Sequence, residues 1–493
     1  MTAAADDGDA RAHGGQGSRG RRRLPSPPGC AGKTGRRPVV DAQEPPVVTP
    51  SRWSRSRPDR PPTTPARAST VARPVREFFA TEASGGLVLL GAAAVALVWA
   101  NSPWQASYRT LWSTNLSLGV GGYSIDGALR LWVNEGLMTI FFLVVGLEIR
   151  RELASGELRD RRRAALPVLA AAGGMLVPAL LYLVVNAGGR GARGWGIPMA
   201  TDIAFSLGVV ALLGRCVPAS LRLFLLTLAV ADDLGALVVL VAAYSTGVSM
   251  RALVVAVALV LLVVVLKRIG VRWTPLYVGV GVAIWLALHE AGVNPTLAGV
   301  AMGLLAPVEP ALPEHAIATV RSRLGDVSTV DAARDTARLA RESVSVVEWL
   351  EHLLHPWASY VVVPVFALAN VGVVIGSDLV ETTSRSPVAL GVLLGKVVGK
   401  ALGITAFTWI ACRLGLSSLP AGVRWRQVVG IGAVAGVGFT VSLFFVDLSF
   451  ADPDLQDEAK LAVLVASAAA AGLGALLLRA DGRGEVSAAE DPG

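Results

Sequence analysis

Leu226-Thr-Leu-Ala-Val-Ala-Asp-Asp-Leu-Gly-Ala-Leu-Val-Val-Leu-Val241 sets two adjacent carboxylates, Asp232 and Asp233, near the middle of an apolar run covering 221–243. That run is long enough to cross a bilayer. An ionised acid at bilayer centre costs roughly 2.5–3.5 kcal/mol on insertion scales. The pair is therefore expected to face a wet, protein-lined cavity and to have a task there. Adjacent residues on a helix point about 100° apart, so a single neighbouring cation cannot cover both acids. A proton or a metal cation must neutralise the one left over.

Working outward, the chain alternates apolar runs with short charged links. Only 17% of its 493 residues are charged, against about 25% in an ordinary soluble domain. Candidate spans fall near 84–100, 131–148, 164–186, 197–214, 221–243, 251–266, 275–289, 295–308, 357–375, 387–411, 427–447 and 461–478, about twelve transmembrane helices in an all-α polytopic membrane protein. With both termini placed in the cytoplasm, inside links carry 21 Lys and Arg residues and outside links 7. That bias obeys the positive-inside rule, and it assigns the net charge of +8 to topology rather than to nucleic acid. Residues 1–76, rich in Pro and Arg (Arg19-Gly-Arg-Arg-Arg-Leu-Pro-Ser-Pro-Pro-Gly29), read as a disordered basic cytoplasmic tail. No apolar segment follows the arginines closely enough for a secretory signal. Residues 77–480 form the membrane domain and 481–493 a short disordered tail. The three cysteines, Cys30, Cys216 and Cys412, are far apart and form no disulfide or metal framework.

Two spans carry breakers. The fourth has Pro198 beside Thr201-Asp202, and the eleventh runs Gly430-Ile-Gly-Ala-Val-Ala-Gly-Val-Gly438-Phe-Thr-Val-Ser442. Broken helices leave backbone groups that only a protein-lined cavity satisfies. Asp202 is placed to neutralise half-helix N-termini, and Lys400 to serve the opposite, C-terminal ends. Only five of the 45 basic residues are lysines, yet Lys396 and Lys400 lie one turn apart in one span. Lysine can give up its proton when buried and arginine effectively cannot, so these positions point to a titratable cation. Lys396 also admits a second reading, a side chain snorkelling to the interface. Toward the cytoplasmic ends, Glu148, Arg151 and Glu152 close the second span, and Glu351, His352 and His355 open the ninth. Glu351 and His355 share a helix face. A zinc site would need more ligands than these, so they read as a charge network or a pH-responsive cluster.

The strings Phe141-Phe-Leu-Val-Val-Gly-Leu-Glu148, Ala200-Thr-Asp-Ile-Ala-Phe205, Ala231-Asp-Asp-Leu-Gly-Ala236, Glu351-His-Leu-Leu-His-Pro-Trp357, Phe366-Ala-Leu-Ala-Asn-Val-Gly372, Gly399-Lys-Ala-Leu-Gly403 and Gly438-Phe-Thr-Val-Ser442 together resemble the NhaA-type sodium/proton antiporters, in the family's order. The resemblance implies inverted-topology repeats with two broken, crossing helices. It further implies electrogenic exchange of cytoplasmic Na+ or Li+ for external H+, with no cofactor, in the cell membrane amid lipid, with a homodimer as the working form. By the same resemblance Asp233 is the main ligand of the transported Na+ and Asp232 the second essential acid. Lys400 pairs with Asp232, Asp202 and Thr201 serve the crossing, and Glu148, Arg151, Glu152 and Glu351 belong to the pH-response region. Asn294 departs from the pattern, standing where the family has a histidine linked to pH response. The chain is not expected to be an enzyme. Rival readings are a cation channel, which would want a ring of acids or a carbonyl filter, a membrane-embedded transferase, which would want a second acidic motif, and a carrier of another solute, which would want further polar recognition residues.

Overall fold

Backbone groups in lipid must find their partners within the chain, and the apolar runs respond by folding as helices. The computed structural model describes residues 69–489 apart from 121–122, 215–216, 245–246, 272 and 310–343. The expectations for most of the N-terminal tail and for Cys30 and Cys216 lie outside the described residues. The helices are α1 (Ser69–Ala100), α2 (Gln105–Ser113), α3 (Leu129–Ala154), α4 (Arg161–Asn186), α5 (Ile203–Leu213), α6 (Ala219–Ala243) and α7 (Met250–Ile269). They continue with α8 (Thr274–Glu290), α9 (Leu297–Leu305), α10 (Val346–Asn370), α11 (Ser377–Arg385), α12 (Pro387–Arg413), α13 (Trp425–Val434), α14 (Thr440–Ser449) and α15 (Pro453–Ala489).

Each of the twelve expected stretches contains helix, though not over its whole length. Among the described residues, seven helices (α3, α4, α6, α7, α10, α12 and α15) are long and apolar enough to cross a membrane, and α1 with α2 makes an eighth if the pair, bent by 113°, counts as one. The other expected spans fall on shorter or broken helices: α5, α8, α9 and the pair α13 and α14. The helices also overrun the boundaries drawn from composition, with α1 starting at Ser69 and α15 reaching Ala489, because an established helix extends at the cost of one residue per added hydrogen bond.

Among the described residues one element is a strand pair rather than a helix. Between α2 and α3 an antiparallel ribbon pairs β1 (Asn115–Val120) with β2 (Tyr123–Ala128), Val120 opposite Tyr123. The signal was present in the sequence as Gly121-Gly122 between two short alternating segments, a hairpin turn pattern.

The helices pack as two bundles. In one, α4 lies against α12 and α6, α13 and α15 close on α12, and α5 and α14 pack on α15. In the other, α3 lies against α9 and α10, and α7 and α8 pack beside α9. Helix α1 touches α10 and also α5, bridging the two. Glycines set the closest approaches, as they do where van der Waals contact drives helix association in lipid. Gly173 on α4 and Gly403 on α12 sit back to back, and a Cβ on either would overlap the other's carbonyl oxygen. Gly299 on α9 lies on the Thr139 carbonyl of α3 in the same manner. Gly299→Val is accordingly expected to destabilise the fold by about 2 kcal/mol through overpacking. A lowered thermal midpoint in detergent checks this, against Gly279→Val, where the added side chain starts in open space.

Candidate functional site

The two broken spans cross through their unwound segments. Chain 197–202 precedes α5, and 435–439 joins α13 to α14. The backbone NH of Asp202 donates to Val437 O (2.8 Å). Thr201 Oγ1 donates to Ala435 O (2.9 Å), Ser206 Oγ to Val434 O (3.3 Å), and Ser442 Oγ to Ile197 O (2.8 Å). Carbonyls that a continuous helix would have satisfied are thus taken by hydroxyls from the opposite chain. The two breaks differ: the second separates two α-helices, whereas the first is preceded by only a short 3-10 turn, Ala192–Gly196.

Asp202 sits where its sequence position placed it, at two half-helix N-termini simultaneously. Its carboxylate accepts from Phe205 NH (3.2 Å) at the start of α5 and from Thr440 NH (3.2 Å) and Thr440 Oγ1 (2.8 Å) at the start of α14. Negative charge is stabilised at both. The cation at the unwound carbonyls is Lys396, not Lys400 as the sequence suggested. Lys396 is fully buried and its Nζ donates to Gly438 O (2.7 Å) and Ala200 O (3.4 Å). The snorkelling alternative is thereby removed. Lys400, equally buried, donates to Asp232 Oδ2 (2.6 Å) and Thr201 Oγ1 (2.8 Å). A π-helical turn, Leu394–Gly399, contains Lys396 and ends directly before Lys400, so the two lysines do not keep ideal α-helical register and reach different targets.

Asp232 and Asp233 share α6 but not an environment. Asp232 is 2% exposed, with Lys400 on one oxygen and no hydrogen-bond partner on Oδ1 among the described residues. Asp233 has no hydrogen bond or ion pair among the described residues and lines a cavity of about 80 Å³. A single water needs roughly 10–15 Å³ by this measure, so several fit. The same cavity is lined by Thr201, Asp202 and Thr440 from the crossing and, toward the other end, by Glu148, His355 and Ser359. The described residues hold no cluster of three or more His, Cys, Asp or Glu that could ligate a metal ion.

At that mouth Arg151 pairs with Glu351 across α3 and α10, and Glu152 lies 3.9 Å from Arg151 while accepting from Glu157 NH (3.1 Å). Glu351 is buried and His355 lines the cavity, while His352, off their shared helix face, is exposed, so the three separate into a paired acid, a cavity histidine and a solvent histidine.

Residues 76–478 match the sequence profile described as Na+/H+ antiporter 1. The chain belongs to that family. Among its relatives, the Na(+)/H(+) antiporter NhaA 2 of Sorangium cellulosum is 46% identical over 445 residues, 87% of this chain and 95% of the relative. The Na(+)/H(+) antiporter NhaA of Oleidesulfovibrio alaskensis is 42% identical over 436 residues (85% and 97%), and NhaA 3 of Frankia alni 45% over 416 (84% and 90%).

In this member of the antiporter family the crossing also uses residues that sequence reasoning passed over. Thr440 opens α14, and its signal was a hydroxyl directly after the Gly-rich break; Ser206 and Ser442 look like ordinary small residues until the crossing is seen. Asn294, where the resemblance led to the expectation of a histidine, has a local task. Its Oδ1 accepts from Thr296 NH (3.0 Å) and Thr296 Oγ1 (2.5 Å), ordering the turn into α9. Asn294→His is therefore expected to cost about 1 kcal/mol of stability through the lost turn bonds, with exchange retained. Thermal unfolding and vesicle transport on the same preparation check both halves. A histidine does occur nearby: His289 Nδ1 meets Glu135 Oε2 at 2.9 Å, with Trp285 stacked on its ring.

Proposed function

We propose that this chain exchanges cytoplasmic Na+ or Li+ for external H+ by alternating access, electrogenically, in the cell membrane, with both termini cytoplasmic. The observation that carries the reading is Asp233, an acid without a hydrogen bond or ion pair among the described residues, facing a cavity with room for several waters beside an Asp232 paired with Lys400 on one oxygen. Carboxylate and hydroxyl oxygens suit a hard cation, and the same carboxylates bind protons. The two occupants compete for one set of oxygens. If the site crosses only when neutralised, each passage of Na+ must alternate with a passage of protons.

Lys400 completes the cycle. While Na+ is absent its ammonium covers Asp232; when Na+ bridges Asp232 and Asp233, the lysine is displaced. Asp233 gives up its proton and the displaced, still buried Lys400 gives up another, so two protons leave for one monovalent cation, which makes the exchange electrogenic. The mouth at Glu148 and His355 opens the cavity to the cytoplasm, and the network Arg151, Glu152 and Glu351 borders it as the pH-responsive region. Family membership carries the further proposals of sodium and pH homeostasis as the role, lipid as the surrounding solvent and a homodimer as the assembly.

The test is addition of Na+, Li+ or K+ to everted membrane vesicles that hold a pH gradient. Na+ and Li+ are expected to dissipate it. A protein that responds to no alkali cation would overturn the reading.

A further inference from the structure

At the end of the molecule opposite the Glu148 and His355 mouth, four polar residues from four helices meet in a place that none of the site residues occupies. Asn134 lies on α3, Asn370 ends α10, Asp447 is near the end of α14 and Lys460 is two turns into α15. Asn370 Nδ2 donates to Asn134 Oδ1 (2.6 Å), fixing the two amides to each other within one bundle. Lys460, 2% exposed, places Nζ 3.0 Å from Asp447 Oδ1 within the other bundle. One bond joins the two halves: Asn134 Nδ2 donates to Asp447 Oδ2 at 2.9 Å.

Between this layer and Asp233 stands an apolar one. Phe142 and Phe444 meet with ring centroids 5.3 Å apart, and with Phe141, Phe445 and Leu240 they leave beside Asp233 a void of only about 10 Å³. Asn134 precedes Phe142 by eight residues, about 12 Å along α3, and Asp447 follows Phe444 by three. The order from the cavity outward is acid, aromatic plug, polar clasp.

We infer that the Asn134–Asp447 hydrogen bond, backed by Asn370 and Lys460, is the outer gate of the exchange path. The inference rests on the alternating-access reading above. Rocking one bundle against the other separates α3 from α14 at this end, and a bond of 2.9 Å does not survive a separation beyond about 3.5 Å. The bond exists in the cavity-to-mouth state described here and is broken in the state open at the other end. Its partners suit a closure that opens repeatedly. Lys460 travels with Asp447, so opening strands no buried charge, and Asn134 and Asn370 keep each other's amides paired. Helix α3 presents Asn134 from a π-helical turn, Trp132–Leu137, a local departure of the kind that re-aims a side chain.

The test reads gate opening without transport. Ala236, on the wall of the small void, is replaced by Cys in a background in which Cys30, Cys216 and Cys412 are Ser. The full chain sits in vesicles of either orientation, exposed to a membrane-impermeant maleimide. Asn134→Ala is expected to raise the labelling rate from the side opposite the mouth by about tenfold, the population change that follows loss of one hydrogen bond to a charged group. Asp447→Leu with Lys460→Leu, which removes the clasp without leaving a lone charge, is expected to do the same and serves if Asn134→Ala does not fold. Unchanged labelling in a folded variant of either kind overturns the gate. Because labelling needs no Na+ or H+ movement, a raised rate in vesicles that show no alkali-cation response would retain the gate and reject the exchange reading instead.

Discussion

Asp233→Asn is expected to abolish sodium-induced dissipation of the pH gradient in everted vesicles while leaving the protein folded. The substitution keeps the shape of the side chain and removes its charge and its protonation site. No hydrogen bond or ion pair among the described residues depends on this carboxylate, so little structural support is lost. What is lost is a cavity-facing acid that has no hydrogen bond or ion pair among the described residues. Interactions with charged groups contribute roughly 1.5–3 kcal/mol each, so losing cation and proton binding together lowers exchange by about a hundredfold or more. Asp232→Asn has a different expected signature. It also stops exchange, but it strands Lys400 as an unpaired buried charge, which costs about 3–5 kcal/mol. The double variant Asp232→Asn with Lys400→Met is expected to restore much of the thermal midpoint and none of the transport. Full transport in both single Asp variants would remove the site assignment. Equal stability of all four proteins would remove the account of Lys400.

The parts of this site that sequence reading located are those where chemistry conflicts with surroundings. Two acids inside 221–243 are conspicuous because lipid cannot hold them, and Pro198 and the Gly430–Gly438 run are conspicuous because helices do not tolerate them without help. The division of labour between the lysines was not legible. Lys396 and Lys400 are four residues apart and look equivalent on an ideal helix; the π-helical turn that separates their targets depends on packing against the crossing, which no local pattern encodes. Gly438 shows the reason for the arrangement, since a Cβ there would overlap both the Ala200 carbonyl and Lys396 Nζ. The outer clasp was illegible for another reason. Asn134 and Asn370 carry no charge to flag them and lie 236 residues apart, and Asp447 near a helix end reads as an interfacial residue. The ribbon β1–β2 was passed over because an expected count of helices absorbed its neighbours, although Gly121-Gly122 marked the turn.

Asp202→Ala is expected to have the second largest effect, and on the fold as much as on exchange. The carboxylate is 5% exposed and accepts three hydrogen bonds that tie the start of α5 to the start of α14. Alanine leaves the Phe205 and Thr440 amides and the Thr440 hydroxyl without their acceptor where water is scarce. Each unsatisfied buried group costs about 1–3 kcal/mol, so the three at the crossing lose on the order of 3–9 kcal/mol before relaxation. It also brings two positive helix ends together with no counter-charge between them, while Lys396 remains on the far side of the same crossing. Asp202→Asn separates the two contributions. Its Oδ1 can still accept from Thr440 or Phe205, but it carries no charge. The asparagine variant is therefore expected to recover more than half of the thermal midpoint lost in the alanine variant, with exchange still below wild type. Circular dichroism melts in detergent with vesicle transport on the same preparations make the comparison. An alanine variant that melts with the wild type would mean that the crossing is held by Thr201, Ser206, Ser442 and the Asp202 backbone bond to Val437, and that the carboxylate is not needed for the fold.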